Sequence, residues 1–138
     1  MELNFIAIGI AAVVQFIIGA IWYMPLFGGV WGRMHGFDAL SPEAQKSAQK
    51  QMMPLLAVQF FVTCVTTTVF ALLVGGLPAE WNRYGLALFF WLGFALPTQV
   101  SAVLFGGTEP RWVVKKIMIM SGGSLVSYLM LALVLGWF

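Results

Sequence analysis

Uncharged polar side chains interrupt the long apolar stretches of this sequence and are its first candidates for binding. On the second stretch they follow the first glutamine by four, seven and eight residues, so they share one helix face. Such amides and hydroxyls can line a water-filled path, but they also bond packed helices to one another. We expect helix packing, with a binding or pore-lining seam as the alternative. The nine residues are Gln15, Gln59, Thr63, Thr66, Thr67, Thr98, Gln99, Ser101 and Ser124.

Groups for acid–base or metal chemistry are scarce. His35 is the only histidine and Cys64 the only cysteine, whereas a metal site needs several ligands and a nucleophile needs a base. The pairs Gly28-Gly29 and Gly106-Gly107 lack the Lys-Ser/Thr ending of a phosphate-binding loop. We therefore predict no catalytic residue, no cofactor and no metal. His35 is expected near lipid headgroups, with haem ligation or pH sensing as the alternative.

The elements that position these residues follow from hydropathy. Hydrophobic residues make up 61% of the 138 and charged ones 9%, far below the roughly 25% of soluble domains. Crossing a membrane takes about 20 mostly apolar residues, and residues 3–23, 53–74, 84–105 and 112–137 meet that requirement without Asp, Glu or Arg. We predict an all-α membrane protein, a four-transmembrane-helix bundle forming a single domain over residues 1–138. Without intramembrane acids, proton-coupled transport is not expected.

The first connection between spans is the only long one. Pro25 ends the first span, and the apolar residues after it predict a short interfacial helix that Gly36 caps. Ser41 and Pro42 then have the pattern of an N-cap and a first helical residue. We expect a polar helix over residues 43–51 that meets Pro54 at a kink or at a fresh helix start.

Basic residues predict the orientation. Six of the seven lie in the first and third connections or at the start of the fourth span, and Arg83 alone lies on the other side. Short loops rich in Lys and Arg stay cytoplasmic, so both termini should face outward from a bacterial inner membrane. Arg111, Lys115 and Lys116 are also candidate contacts to lipid headgroups. The net charge of +2 gives no reason to expect nucleic acid, so the expected partners are the lipid bilayer and further copies or other membrane subunits.

The segment from Gly19 to Gly28, with Trp22-Tyr23-Met24-Pro25 inside it and Trp31 after it, resembles the signature of an uncharacterised bacterial membrane-protein family, domain of unknown function 1761. Trp91-Leu92-Gly93-Phe94 and the final Leu135-Gly136-Trp137 are similar to it too. In that family the turn between spans three and four often reads Phe-Glu-Gly-Arg-Pro, whereas Gly106 and Gly107 fill it here. The resemblance implies four helices in one small domain and supplies no activity or functional residue.

Three functions are compatible with these features. We expect a non-catalytic subunit that assembles with itself or serves a larger membrane complex, because catalytic groups are scarce and four helices enclose little interior. The alternative is a small oligomeric channel or facilitator for water or a neutral solute. A membrane enzyme acting on a lipophilic substrate is less favoured, since the spans hold no Arg and the only asparagines, Asn4 and Asn82, lie near the predicted outer face.

Overall fold

The structure, a computed structural model, describes residues 3–78 and 80–138. Four helical stretches in these residues are long and apolar enough to cross a membrane, as the sequence predicts. The α-helices are α1 (Phe5–Ile21), α2 (Gly28–Met34), α3 (Pro42–Gly76), α4 (Arg83–Phe90), α5 (Leu96–Phe105) and α6 (Val113–Leu135). The chain is therefore an all-helical protein with the build of a multi-pass membrane protein.

Side-chain caps and small residues explain how α1 begins and packs. The Asn4 side chain accepts a hydrogen bond from the Ala7 backbone N–H at 3.0 Å, which satisfies a donor that the first turn otherwise leaves free. Ala11 and Ala12 are completely buried. Small side chains at these positions let neighbouring helix backbones approach closely, as is usual inside membranes.

The second span is part of a helix longer than the membrane requires. Ser41 caps α3 by accepting from the Ala44 N–H at 3.2 Å, and the helix then runs for 35 residues, about 52 Å. The predicted polar helix over residues 43–51 is present, but it is continuous with the span and does not start afresh at Pro54. Pro54 removes one backbone donor, and the helix continues on both sides of it.

Two segments of π-helix interrupt the first and third spans. One comprises Trp22–Leu26 and contains Pro25; the other comprises Trp91–Ala95 and lies just before Pro97. Proline lacks a backbone N–H and clashes with the carbonyl four residues earlier. A wider π-turn around or before the ring relieves this clash, and such turns are frequent at functional sites.

The central element of the packing is α6, which contacts α1 on one side and α4 and α5 on the other, while α3 packs against α1. A tight apolar core lies where α1, α3, α4 and α6 meet, away from the basic connections. We call the end with Arg33, Lys46, Lys50, Arg111, Lys115 and Lys116 the basic end. The core residues are Ala11, Phe70, Leu86, Ala87, Leu131, Ala132 and Val134.

The connections at the basic end follow the predicted turn chemistry. The short helix expected after Pro25 is α2, and Gly36 follows it with φ of +71°. Gly107, in the turn between α5 and α6, has φ of +72°. Only glycine adopts this left-handed conformation without strain, so these two glycines set the direction of both connections.

Candidate functional site

The predicted polar seam contains one buried pair between α1 and α3. The Gln15 side-chain amide donates to the Thr67 hydroxyl oxygen at 2.6 Å and lies 3.4 Å from the Ala11 carbonyl oxygen. Thr67 is completely buried and Gln15 nearly so. In hydrocarbon a free amide is unfavourable, so this bond holds the two helices in one register.

A second polar cluster joins the third span to α6. The Ser124 hydroxyl lies 3.1 Å from the Gln99 side-chain oxygen and can donate to it, and the Trp91 indole N–H lies 3.2 Å from the same hydroxyl. The indole also donates to the Ser121 carbonyl at 2.9 Å. A hydroxyl has one proton and two lone pairs, so Ser124 accepts from Trp91 while it donates to Gln99. The Trp91 N–H and the Ser124 hydroxyl proton are thus used inside the cluster, whereas the Gln99 side-chain N–H groups have no hydrogen-bond partner among the described residues.

The threonines of α3 use their hydroxyl protons within their own helix. Thr63 donates to the Gln59 carbonyl at 2.8 Å and Thr66 to the Val62 carbonyl at 3.1 Å. Thr67 donates to the Thr63 carbonyl at 2.8 Å. This back-bonding to the preceding turn leaves Thr63 and Thr66 with acceptor lone pairs only.

The other polar residues of the predicted seam lie outside both clusters. Gln59, Thr98 and Ser101 are exposed on the surface of the four long helices. Among the described residues, the Gln59 side-chain amide has no hydrogen-bond partner. The nine residues therefore divide into a Gln15–Thr67 pair, a Gln99–Ser124 pair, the half-buried Thr63 and Thr66, and three exposed residues whose polar groups require lipid, water or another chain.

A close contact between Trp22 and a glycine pair escaped the sequence analysis. The Trp22 indole N–H donates to the carbonyl of Ile119, a residue of α6, at 2.9 Å. A Cβ atom on Gly123 would lie 2.9 Å from the Trp22 ring, and one on Gly122 would lie 3.0 Å from it. Only glycine leaves room for the indole there. The glycine pair was the available signal, but nothing in the sequence shows which aromatic ring faces it.

Trp31, His35 and Lys116 form a third cluster, at the basic end. His35 Nδ1 lies 2.8 Å from the Trp31 carbonyl oxygen and Nε2 lies 3.2 Å from Lys116 Nζ. A carbonyl only accepts and an ammonium only donates. The tautomer that fits these partners donates from Nδ1–H to the carbonyl and accepts from the ammonium at Nε2.

Aromatic faces hold the neighbouring cations. Lys116 Nζ lies 5.6 Å from the Trp31 ring centroid, and Lys115 Nζ lies 5.8 Å from that of Trp112. Arg111 pairs with Glu109 at 2.7 Å, with both side chains mostly exposed. Within residues 3–78 and 80–138 it is the one ion pair, so Lys115 and Lys116 have no described acidic partner.

Comparison with known proteins assigns nearly the whole chain to one family. A family model described as "Protein of unknown function (DUF1761)" matches residues 6–136. The chain belongs to this family. No curated protein and no solved structure matches it.

For this DUF1761 chain, the part that the structure describes offers no group of three His, Cys, Asp or Glu that could hold a metal ion. A depression at the end opposite the basic one lies between α1, α3 and α6, and its lining is mostly apolar. Its one amide, on Asn4, already caps α1. Among the described residues, the groups free to meet outside partners therefore include the Gln59 amide, the Thr98 and Ser101 hydroxyls, the Gln99 side-chain N–H groups and the cations of the basic end.

Proposed function

We propose that this protein is a non-catalytic, self-assembling membrane subunit, in which one copy docks on another through the α3 face that carries Gln59. The observation that supports it most is the Gln59 amide, which is exposed within the second span. A side-chain amide facing hydrocarbon loses the hydrogen bonds that water would give it. A second protein chain restores them.

The direction of this face follows from helical spacing. Thr66 and Phe70 come seven and eleven residues after Gln59, so all three lie on one side of α3. Phe70 packs against Phe90 and Tyr128, with ring centroids 6.5 and 6.2 Å apart. The same side therefore faces the third and fourth spans near the core, and towards the basic end it is uncovered, since residues 51–62 are all exposed.

A second copy fits this uncovered face better than an unrelated helix does. An amide carries both a donor and an acceptor, so two Gln59 side chains related by a two-fold axis satisfy each other. Met52, Leu55 and Val62 flank Gln59 on the same side and are exposed. They would supply the van der Waals packing on which membrane helices rely.

The first test measures self-association in lipid as a function of the protein-to-lipid ratio, by energy transfer between labelled copies, with native mass spectrometry of gently extracted protein. We expect a dimer or higher homo-oligomer, and Q59L should weaken association about three- to thirtyfold, because such bonds contribute about 0.6–2 kcal/mol. Q51L, which removes an amide just before the span, should leave it unchanged. A chain that stays monomeric at every ratio refutes the proposal, and co-purifying foreign subunits would make it an accessory subunit.

A small facilitator for water or a neutral solute is the second candidate. Thr63 and Thr66 keep free acceptor lone pairs on or beside the face that carries Gln59. In an oligomer with that face inward they would line a neutral polar path. Replacing both with Val should abolish flux into liposomes, and flux that stays unchanged would count against a pore here.

We further propose that the chain lies in a bacterial inner membrane with its basic end in the cytoplasm. The support is the six-to-one distribution of Lys and Arg under the positive-inside rule. In a C64S background, a membrane-impermeant maleimide applied to intact cells should label E80C and not S47C. The reverse pattern would invert the topology.

A further inference from the structure

We propose that Lys116, positioned by Trp31 and His35, binds the phosphate of an anionic phospholipid headgroup at the basic end. This site is separate from the α3 face, so it does not depend on the proposed self-assembly. Phosphate oxygens accept hydrogen bonds and carry negative charge, and the cluster presents donors and positive charge.

The hydrogen bonds of the cluster leave donors free for such an oxygen. An ammonium group has three N–H donors. One of those on Lys116 is directed to His35 Nε2, 3.2 Å away, and His35 is itself fixed by its bond to the Trp31 carbonyl. Two donors on Lys116 therefore remain for an oxygen from outside the protein.

Rigid aromatic groups position this lysine. Trp31 lies against Tyr23 on one side, with centroids 4.9 Å apart, and against His35, with centroids 4.6 Å apart. Lys116 Nζ lies over the Trp31 ring. Because the ammonium is held before the ligand arrives, less side-chain entropy is lost on binding. Tryptophan at such a position is typical of the headgroup level of a bilayer.

The surrounding charges favour an anion. Lys115 and Lys116 form no ion pair with a described acid. Arg33, on α2, adds another positive charge to this end, and α6 begins here with the positive end of its helix dipole. Asp38 and Glu43 are the acidic residues on this connection. The Asp38 carboxylate lies beside Gly32, and neither acid forms an ion pair with a described Lys or Arg. Positive charge therefore predominates around Lys116.

The test counts bound lipids by native mass spectrometry while the purified full chain is titrated with phosphatidylglycerol or phosphatidylcholine. We expect tighter binding of phosphatidylglycerol, and K116Q should weaken it about fivefold, since one charge near an anionic surface contributes about that much. K116R should retain binding because it keeps the charge and the donors. K46Q is the matched control: it removes one charge from the exposed start of α3, and binding should change less than twofold.

The outcomes separate the alternatives. Equal binding of the two lipids, or equal losses in K116Q and K46Q, would overturn the site, because the effect would then be general surface charge. Displacement of bound lipid by inorganic phosphate would assign the cluster to a free phosphate and overturn the lipid assignment. A K116Q chain that no longer folds is recognised by circular dichroism, and H35F, which keeps a ring beside Trp31 but loses Nε2, then tests the cluster by its own loss of binding. The native mass spectra that count bound lipids also report the oligomeric state, so failure of lipid binding is distinguishable from failure of self-assembly.

Discussion

The indole N–H of Trp22 donates to the carbonyl oxygen of Ile119 at 2.9 Å, bridging the end of the first span and the first third of α6. Trp91 makes the equivalent bond from the third span, to the Ser121 carbonyl, also at 2.9 Å. Each tryptophan begins a π-helical segment. The fourth span is thus held from two sides by tryptophans located at irregular turns.

The space beside Gly123 is the most sensitive point of this arrangement. G123A would place its Cβ 2.9 Å from the Trp22 ring, and overpacking of this kind costs about 1–3 kcal/mol. We expect the free energy of unfolding to fall by that amount in a detergent-based unfolding titration. In the G9A variant nothing lies within 4 Å of the new Cβ, so its free energy of unfolding should not fall. Equal effects of both substitutions would show that the indole does not occupy this space.

The two indole bonds should contribute separately to stability. W22F and W91F each keep an aromatic ring and remove the N–H, and each should lower the free energy of unfolding by about 0.5–1.5 kcal/mol. W137F is the control, because Trp137 is exposed at the end of the chain. The measurement is the shift of the unfolding midpoint, and a W22F chain as stable as W137F would argue against the Ile119 bond.

The Gln15–Thr67 pair should show a direct energetic coupling. In a double-mutant cycle of Q15L and T67V, the coupling between the two should reach roughly 0.6 kcal/mol and at most about 1.7 kcal/mol, the range found for hydrogen bonds between membrane helices. Q15L combined with T66V serves as the control and should be additive, since no hydrogen bond joins Gln15 to Thr66 in the structure. A larger coupling in the control would mean that another threonine faces Gln15.

The turn between α5 and α6 depends on the left-handed backbone of Gly107. G107A should cost about 1–2 kcal/mol of stability, because a Cβ disfavours positive φ, and G107N should cost less, since asparagine tolerates that region. G29A, in a helical position with open space for a Cβ, should be close to neutral. The comparison of thermal midpoints checks the order, and equal loss in G107A and G107N would contradict it.

The spans were predictable, and the distribution of their polar contacts was not. Continuous apolar runs identify the four long helices because membrane helices must satisfy their backbone internally. Which faces meet depends on how each helix is rotated, and the weak sequence asymmetry around these apolar helices does not fix that rotation. Gln15 and Thr67 were both candidates for the seam, but their pairing became visible only with α1 and α3 in place.

The contacts of Trp22 likewise could not be predicted from the sequence. The aromatic-belt rule assigns it to the membrane interface, whereas its indole reaches Ile119, six residues into α6. Gly122 and Gly123 indicate a close approach without naming the ring that approaches. The position of the π-segment before Pro97 was partly foreseeable, because proline frees a carbonyl one turn upstream.

Because α3 is long and uninterrupted, a small tilt of this helix displaces its far end by a large distance. The helix is about 52 Å long, which is about 20 Å more than the roughly 30 Å thickness of a hydrocarbon core. If the portions on either side of Pro54 move as one body, a tilt of about ten degrees at Gly76 moves the Pro42 tip by about 9 Å, by the geometry of a rod of this length. A load applied to that tip would reach the buried Gln15–Thr67 contact as a torque.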